Sequence, residues 1–378
     1  MVGGAGPVIE RASPDDLMQL ACDVGPVPMQ VGAVLVLAAG PAFDVSAAED
    51  VIAERITAIP RLRQVLVRVP IGCGRPIWVD DATFDIRRHV RCVTCQPPGD
   101  EAALLGTAVA IAAEPLPSSR PLWSATFVTG LIGSRVALVV VFHHVLADGI
   151  GGLAVLANLV DGVPVAAPAP FPRPAPARRQ LAVDALGARC EALARLSAAL
   201  RALRPAVAEL SPAGTARVPR TTLNRPTGPC RRITVTRADL GRIRDVAHAH
   251  GGTVNDAVLT AVTGALRALL ARRGEPVDDL VVSVPVSGRT SSTAARLGNR
   301  VGVMPVSLPA GGDRLARLER IAAITRAHKT ARRGASAALL GPVFRALAAL
   351  GVLRWSVNRQ RLVHTFATNL RGPDQRHR

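Results

Sequence analysis

The sequence predicts two mixed α/β lobes joined by a proline-rich crossover. Its 378 residues are enough for about two domains of about 150 residues each. The net charge changes from −4 over residues 1–160 to +22 over residues 161–378, which indicates a boundary near residue 160. Both halves mix strand-like and helix-like patterns, which is typical of α/β folds. We therefore predict an N-terminal lobe (1–162), a crossover with an amphipathic helix (163–220) and a C-terminal lobe (221–378).

The elements of the N-terminal lobe follow from its apolar periodicity and its helix-start signals. Ser13 and Ser46 are predicted to begin helices, the second because Glu49 lies at capping-box spacing, and Pro60 ends that helix. A third helix is predicted over residues 102–113. Strands are predicted at 31–37, at 65–69, around Trp78, and at 123–129 and 135–142, the last two forming a hairpin around Ile132-Gly133.

The crossover contains six prolines between Pro164 and Pro176, which excludes a helix or a central strand and predicts a stiff linker. A leucine-rich helical pattern then runs from Leu181 to Leu203, with arginines at other positions of the same helix. Such a basic amphipathic helix can lie on an anionic membrane. The alternative is a helix packed between the two lobes.

The C-terminal lobe repeats the mixture of strands and helices. Helices are predicted at 237–250 and 252–272 and from Arg314 onward. Strands are predicted at 232–236, 281–286, 301–308 and 362–368.

Composition excludes several classes of protein. With 49% hydrophobic and 20% charged residues, the chain is not expected to be disordered. The apolar runs are too short for a membrane span, and no signal-peptide pattern is present, so we expect a cytoplasmic protein with at most peripheral membrane contact. The basic excess is almost entirely arginine, which can reflect a biased coding sequence. Nucleic-acid binding is disfavoured because the chain has no tyrosine and only 3% aromatic residues.

The six cysteines are expected to be reduced thiols, because the chain is long and lacks a secretory signal. His89, Cys92 and Cys95 resemble half of a zinc site. No second pair of ligands follows at a suitable spacing, so we predict no metal.

The segment from Val139 to Gly149 carries the strongest chemical signal in the sequence. An apolar strand ends in His143 and His144, and Asp148 and Gly149 follow. Neighbouring strand residues point to opposite faces, so the two histidines have different roles. A neutral imidazole, with a usual pKa of about 6.5, can remove a proton from an alcohol or thiol. A buried structural histidine pair is the alternative interpretation of these residues alone.

The complete pattern His-His-x-x-x-Asp-Gly resembles the active-site motif of the chloramphenicol acetyltransferase-like superfamily. Flanking segments narrow the resemblance to the bacterial wax ester synthase/diacylglycerol acyltransferase family, over nearly the whole chain. These segments are Ser13-Pro14-x-Asp16, Pro28-Met29-Gln30-Val31-Gly32, Arg61-Leu62-Arg63-Gln64, Arg120-Pro121-Leu122-Trp123, Thr253-Val254-Asn255-Asp256 and Leu297-Gly298-Asn299-Arg300.

The resemblance implies two chloramphenicol acetyltransferase-like lobes with the active site in the cleft between them. It also implies transfer of a fatty acyl group from acyl-CoA to diacylglycerol or a long-chain alcohol, without a covalent acyl-enzyme. His144 is then the general base, His143 supports it, and Asp148 holds the catalytic loop. Gly149, Asn255 and Asp256 are the expected substrate-binding residues, with a helix cap as the alternative role of the Asn-Asp pair.

The same resemblance implies that acyl-CoA is a co-substrate and that no cofactor is needed. The expected surroundings are the cytoplasm, with peripheral contact at the inner face of the membrane or at a lipid droplet. Positive charge in the second half favours either the phosphates of coenzyme A or an anionic membrane surface.

Two departures from the family pattern bear on function. Pro117 replaces the Asp that commonly precedes the Ser-Arg-Pro-Leu-Trp segment, which is expected to affect a loop. The segment Thr368-Asn369-Leu370-Arg371-Gly372-Pro373 is followed by five residues, where relatives continue for several strands. A shortened second lobe is therefore expected, and a non-catalytic homologue that binds lipid or acyl-CoA is the alternative function. A different acceptor, such as a polyketide or peptidyl thioester, is a third possibility.

Overall fold

The computed structural model describes residues 9–37, 43–146, 151–152, 156, 170–194, 218–287, 301–330, 347, 350–370 and 372, and its architecture is mixed α/β. The predicted strands and hairpin of the first half are confirmed, as are the helices at Ser13 and at 102–113. The elements of this half are β1 (Glu10–Arg11), α1 (Pro14–Cys22), β2 (Gln30–Leu37), α2 (Val45–Ile56), β3 (Gln64–Val67), β4 (Ile77–Asp80), β5 (Val90–Thr94), α3 (Glu101–Ala113), β6 (Trp123–Leu131) and β7 (Arg135–His143).

The principal sheet of the first half has the strand order β2-β7-β6-β5. β7 pairs antiparallel with both β2 and β6, whereas β5 joins β6 in parallel. Alternate residues of β7, from Val136 to Phe142, face the core that contains α2, and the intervening residues pack against α3. Because both faces are covered, β7 is apolar from Val136 to Phe142, and its carboxyl end has a fixed register opposite β2.

A smaller sheet of order β1-β4-β3 anchors the crossover to the first half. The described part of the proline-rich segment, 170–177, contains no helix or strand. Arg173 donates from Nη2 to Asp80 Oδ1 at 2.7 Å and from Nε to Asp80 Oδ2 at 3.0 Å. The following helix, α4 (Arg178–Ala194), buries Leu181 against Cys73 and Ile77. The described part of the amphipathic helix thus packs on the first half of the chain.

The second half contains a sheet of order β10-β8-β9, in which β8 pairs antiparallel with β9 and parallel with β10. Its predicted helices at 237–250 and 252–272 and from Arg314 are confirmed, as are the strands at 281–286 and 301–308. The elements are α5 (Leu240–Ala249), α6 (Val254–Arg272), β8 (Asp279–Ser287), β9 (Val301–Pro309), α7 (Arg314–Thr330), α8 (Leu353–Asn358) and β10 (Thr365–Phe366).

Helix α6 is long and apolar enough to span a membrane by length and composition, and it is the one such helix in the described part of the chain. One face of the helix, 28% of its apolar 18-residue stretch, is buried inside the fold. Leu259 and Leu270 are buried with residues of β8 and β9, and Asp256 is buried in its first turn. A carboxylate and two core leucines held by neighbouring elements favour a role inside the fold.

The residue predicted to begin the second helix, Ser46, is not its N-cap. Asp44, and not Ser46, is the N-cap of α2, and its carboxylate accepts the backbone N–H of Ser46 at 2.9 Å. Asp and Ser both cap helices well, so the sequence offered two candidates two residues apart. The capping-box spacing between Ser46 and Glu49 favoured the second of these.

Two predicted strands of the second half differ in the structure. Residues 232–236 form neither a strand nor a helix, and Ile233 and Val235 are 51% and 43% exposed. The predicted strand 362–368 is reduced to the two residues of β10. Both segments have suitable side chains, but a strand also needs a neighbouring strand with which to pair its backbone.

Candidate active site

His143 lies at the carboxyl end of β7, opposite Gln30 of β2, and is 5% exposed. Its ring is held from two sides. The backbone N–H of Val145 donates to Nδ1 at 3.0 Å, and Nε2 lies 3.3 Å from Oδ2 of Asp23. Since Nδ1 accepts, a neutral ring carries its proton on Nε2 and donates it to Asp23. His143 is therefore a buried structural group.

Burial lowers the pKa of His143, because desolvation disfavours the charged imidazolium. The hydrogen bond to Asp23 and the charge of Asp23 act in the opposite direction, and nearby His144 lowers the pKa further. The neutral form that accepts the Val145 N–H is thus favoured at neutral pH.

Asp23, at the C-cap of α1, connects three parts of this region. Its Oδ1 accepts the backbone N–H of Met29 at 2.8 Å, while Oδ2 accepts from His143. The carbonyl of Met29 in turn accepts the backbone N–H of His144 at 2.8 Å. Asp23 therefore fixes the loop before β2 and, through it, the backbone of the second histidine. Sequence analysis did not single out this residue.

His144 is the first residue beyond β7 and is half-buried, in contrast to the nearly inaccessible His143. Its main chain is fixed by Met29, and the carbonyl of His143 accepts the N–H of Leu146 at 2.9 Å in the following turn. Of the two histidines, His144 is the less buried. A neutral imidazole in this position can accept a proton from a hydroxyl group.

The rest of the motif leads into a closely packed glycine segment. Asp148 and Gly149 lie outside the described residues. Gly151 and Gly152 are buried, and a Cβ on Gly152 would lie 2.8 Å from Cζ of Phe142. The chain after the motif therefore approaches the last apolar residue of β7 at a distance that glycine alone permits without displacement.

Gln30 fixes the neighbouring strand opposite His143. Its Nε2 donates to the carbonyls of Ala112 and Glu114, each at 2.9 Å. Its Oε1 accepts the N–H of Leu116 at 3.0 Å. One side-chain amide thus satisfies the carboxyl end of α3 and attaches it to the start of β2.

Trp123, from the Arg-Pro-Leu-Trp segment, is 3% exposed and pairs with Phe142 across the sheet. Its Nε1 donates to the carbonyl of Leu62 at 2.7 Å, and the ring of His89 stacks on it with centroids 4.6 Å apart. This tryptophan belongs to the core that supports the end of β7.

The three residues that resemble half of a zinc site are not arranged as metal ligands. His89 Nδ1 lies 2.9 Å from the carbonyl oxygen of Trp123, Cys92 is exposed, and Cys95 Sγ lies 3.7 Å from Thr107 Oγ1. Within the described ranges, no group of three or more His, Cys, Asp or Glu side chains is arranged to hold a metal ion.

Asn255 and Asp256 lie in the first turn of α6. Thr253 is the N-cap, and Asp256 Oδ2 accepts its backbone N–H at 2.8 Å and its hydroxyl at 2.7 Å. Asp256 Oδ1 accepts the hydroxyl of Thr325 at 2.7 Å, and the residue is 2% exposed. These bonds form a capping box and join α6 to α7. Asn255 is half-buried beside this cap.

Comparison with known proteins shows the family of this chain. Residues 13–258 match the model of the wax ester synthase/diacylglycerol acyltransferase catalytic domain. The match includes β7, both histidines and the first turn of α6. The chain belongs to this family.

Curated relatives within the family include proteins of Mycobacterium tuberculosis. One, named putative diacylglycerol O-acyltransferase Rv3087, is 36% identical over 288 residues, which are 72% of this chain and 61% of the relative. Another, named probable diacylglycerol O-acyltransferase tgs1, is 32% identical over 361 residues, or 92% of this chain and 77% of the relative. This chain thus spans about three-fifths of the length of the first of these relatives.

Solved structures with the same fold cover most of the chain. The wax ester synthase/diacylglycerol acyltransferase from Marinobacter aquaeolei VT8 has a TM-score of 0.62 at 22% identity, covering 95% of this chain and 81% of that one. The first condensation domain of the CDA synthetase has a TM-score of 0.56 at 20% identity, covering 87% and 78%. The predicted chloramphenicol acetyltransferase-like fold class is confirmed.

Proposed function

We propose that this chain transfers a fatty acyl group from acyl-CoA to the hydroxyl of diacylglycerol, and also to long-chain alcohols. The observation that carries the proposal is the contrast between the two histidines. His143 is 5% exposed, whereas His144 is half-buried on a backbone fixed by Met29. A fixed backbone and a partly exposed position suit a general base that must meet two substrates.

The reaction proceeds by direct transfer. A ring nitrogen of His144 takes the hydroxyl proton while the oxygen attacks the thioester carbonyl carbon. The tetrahedral intermediate collapses with cleavage of the carbon–sulfur bond, and the imidazolium returns its proton to the leaving thiolate. The products are an ester and free coenzyme A, and no acyl-enzyme forms.

Other residues have supporting roles in this proposal. Asp23 positions His143, Asp148 holds the loop after it, and Gly149 contributes to substrate binding. Asp256 holds the first turn of α6 through its capping box, and the neighbouring amide of Asn255 donates to the developing oxyanion. No cofactor is required, because acyl-CoA itself supplies the activated acyl group.

The membrane or lipid-droplet surface is the proposed place of action, because the acceptor and the product are lipids. Helix α4 supports this, since three of its large apolar side chains are more than half exposed: Val183, Leu186 and Leu193. Such side chains can enter the interfacial region of a bilayer.

The function is tested with the purified chain, labelled palmitoyl-CoA and either diolein or hexadecanol. We expect ester formation, and we expect His144→Ala to lower kcat by about 10²–10⁴-fold, the range for loss of general base catalysis. His248→Ala, which changes an exposed histidine of α5, is the matched control. Equal rates for wild type and His144→Ala would contradict the mechanism. Acyl-CoA binding without thiol release in the wild type would favour the non-catalytic alternative.

A further inference from the structure

A cluster of arginines surrounds the short loop Ala310–Gly312, which connects β9 to α7. Arg317 Nη1 donates to the carbonyl of Ala310 at 3.1 Å, and Arg320 Nη2 donates to that of Gly311 at 2.9 Å. The guanidinium of Arg267, on α6, comes within 3.6 Å of the position that a Cβ on Gly311 would occupy. Guanidinium groups from two helices therefore converge on one loop.

Glycines provide the space for this convergence. A Cβ on Gly264, in the interior of α6, would lie 2.6 Å from Arg317 Nη2. A Cβ on Gly312, which has a φ of +85°, would lie 3.0 Å from Arg320 Nη2. Glycine inside a helix is unfavourable relative to alanine, so Gly264 is explained by the arginine that crosses it. The cluster is thus built into the backbone of the loop and of α6.

The cluster is electrostatically unbalanced. Burial lowers the pKa of Arg317, which is 8% exposed, and the charges of Arg267, Arg314 and Arg320 lower it further. Asp313 acts in the opposite direction, but its Oδ2 already accepts the backbone N–H groups of Leu315 and Ala316. Within the described part of the chain, the ion pairs involve none of these four arginines.

A role in holding the loop explains only part of this arrangement. A guanidinium has five N–H donors, and the loop carbonyls accept two bonds from Arg317 and one from Arg320. Arg317 Nε is buried without a hydrogen-bond partner among the described atoms. Arg267 and Arg314 are exposed and add positive charge. Among the hydrogen bonds to the loop carbonyls in the described part of the chain, none comes from either side chain. An anion would balance this charge.

We propose that Arg267, Arg314 and Arg320 bind a phosphate group, with Arg317 as a fixed buried charge behind them. Planar guanidinium groups match the oxygens of phosphate, and several acting on one anion bind it more strongly than one. Arg267 lies 12 residues after Asn255 on α6, which is about 18 Å along a helix axis. The phosphate site is therefore separate from the first turn of α6, and its existence does not depend on acyl transfer.

The phosphate can belong to a soluble molecule or to a lipid headgroup, and the test distinguishes these sources. Binding to the 378-residue chain is measured with inorganic phosphate, with coenzyme A and 3′-dephospho-coenzyme A, and with phosphatidylcholine vesicles with or without phosphatidylglycerol. Binding of the free phosphate compounds indicates a soluble ligand. Binding only to vesicles that contain phosphatidylglycerol indicates a headgroup.

The deciding variant is Arg267→Gln combined with Arg320→Gln. Its control is Arg242→Gln combined with Arg244→Gln on α5, which removes the same charge from exposed positions of the same half. We expect the cluster variant to weaken binding of at least one probe by about tenfold or more, and the control by less than twofold. Arg314→Gln gives an independent variant if the first unfolds. The proposal is overturned if no probe binds the wild-type chain, or if cluster and control variants bind alike.

Discussion

The imidazole of His143 is held between a backbone N–H and a carboxylate that lies 120 positions earlier in the chain. This explains why the sequence pattern identified the histidine pair but not Asp23. The pair adjoins a continuous apolar strand, which is a local signal. The Asp23 contact depends on the register of β2 against β7, and no spacing along the chain reports it. Sequence reasoning finds the histidine pair more readily than the carboxylate that holds it.

Replacement of Asp23 by Asn is expected to lower the pKa of His143 further. Asp23 raises that pKa through its hydrogen bond and its charge, and Asn removes the charge while keeping an oxygen acceptor. The measurement is an NMR titration of the histidine ring signals. Asp245→Asn, at an exposed position of α5, is the control and should leave His143 unchanged. An unchanged titration of His143 in Asp23→Asn would show that the carboxylate does not act on the ring.

Replacement of Asp23 by Leu is expected to lower kcat by about tenfold with little change in KM, because the Met29 and His143 contacts are lost together. Asp23→Glu should recover part of the activity, since it restores the carboxylate. A change confined to KM, or no recovery by Glu, would contradict a positioning role for Asp23.

At the scale of elements, the sequence predicted the central strand β7, whereas the strand predicted at 232–236 is absent from the structure. β7 is covered on both faces, so its sequence is apolar without interruption from Val136 to Phe142. The segment 232–236 has an equally suitable sequence, but it forms no strand. The difference is that β7 pairs with a strand on each side, whereas 232–236 pairs with none among the described residues. A local sequence pattern does not show which strands will be neighbours. The two-residue strand β1 was not predicted, because Glu10 and Arg11 show no alternation of apolar and polar side chains.

A methyl group added at Gly152 is expected to destabilise the packing behind the motif. The new Cβ would lie 2.8 Å from the ring of Phe142, so Gly152→Ala should lower the free energy of unfolding by about 1–3 kcal/mol. Gly187→Ala, in α4, has no atom within 4 Å of the new Cβ and should be neutral or stabilising by up to about 1 kcal/mol. Denaturant unfolding of both variants checks this. Equal effects would mean that Phe142 moves aside freely.

The attachment of the crossover is expected to depend on pH through Asp80. Burial alone would raise the pKa of Asp80, but hydrogen bonds from Arg173 and Gln64 outweigh it and hold the pKa at about 2. A lowered carboxylate pKa stabilises the fold above the usual value of 3.8, and this stabilisation is lost as the pH falls toward 2.

Removal of the partner cation tests this attachment. Arg173→Met should raise the pKa of Asp80 and lower the free energy of unfolding at neutral pH by about 1–2 kcal/mol, since the pair is partly exposed. Arg237→Met is the control, because its ion pair with Glu101 is fully exposed. Chemical denaturation at pH 7 and pH 3 separates the two. Similar small effects from both substitutions would show that Arg173 does not anchor the crossover.

For the whole molecule, three buried histidines predict a loss of stability in mild acid. Burial lowers the pKa values of His89, His143 and His364 below their usual value of 6.5. The unfolded chain therefore binds more protons than the folded chain once the pH falls through about 6.5, and stability falls with it. The loss ends below the folded pKa values.

Thermal unfolding between pH 7.5 and pH 5 measures this effect. His89→Gln should make the change in Tm with pH smaller, because one of the three titrating groups is removed. His248→Gln, at an exposed position, should leave the slope unchanged. A Tm that is constant over this range would be inconsistent with neutral buried histidines.

The exposed contact between Arg237 and Glu101 also has a practical consequence. It joins α3, through Glu101, to the chain just after residues 231–235, and these residues and α3 line a groove of about 620 Å³. Because salt screens an exposed ion pair, the hold of this segment on α3 weakens as ionic strength rises. The salt concentration of the purification buffer therefore affects the structure of this segment. Its amide hydrogens should exchange faster in preparations made at high salt than in those made at low salt.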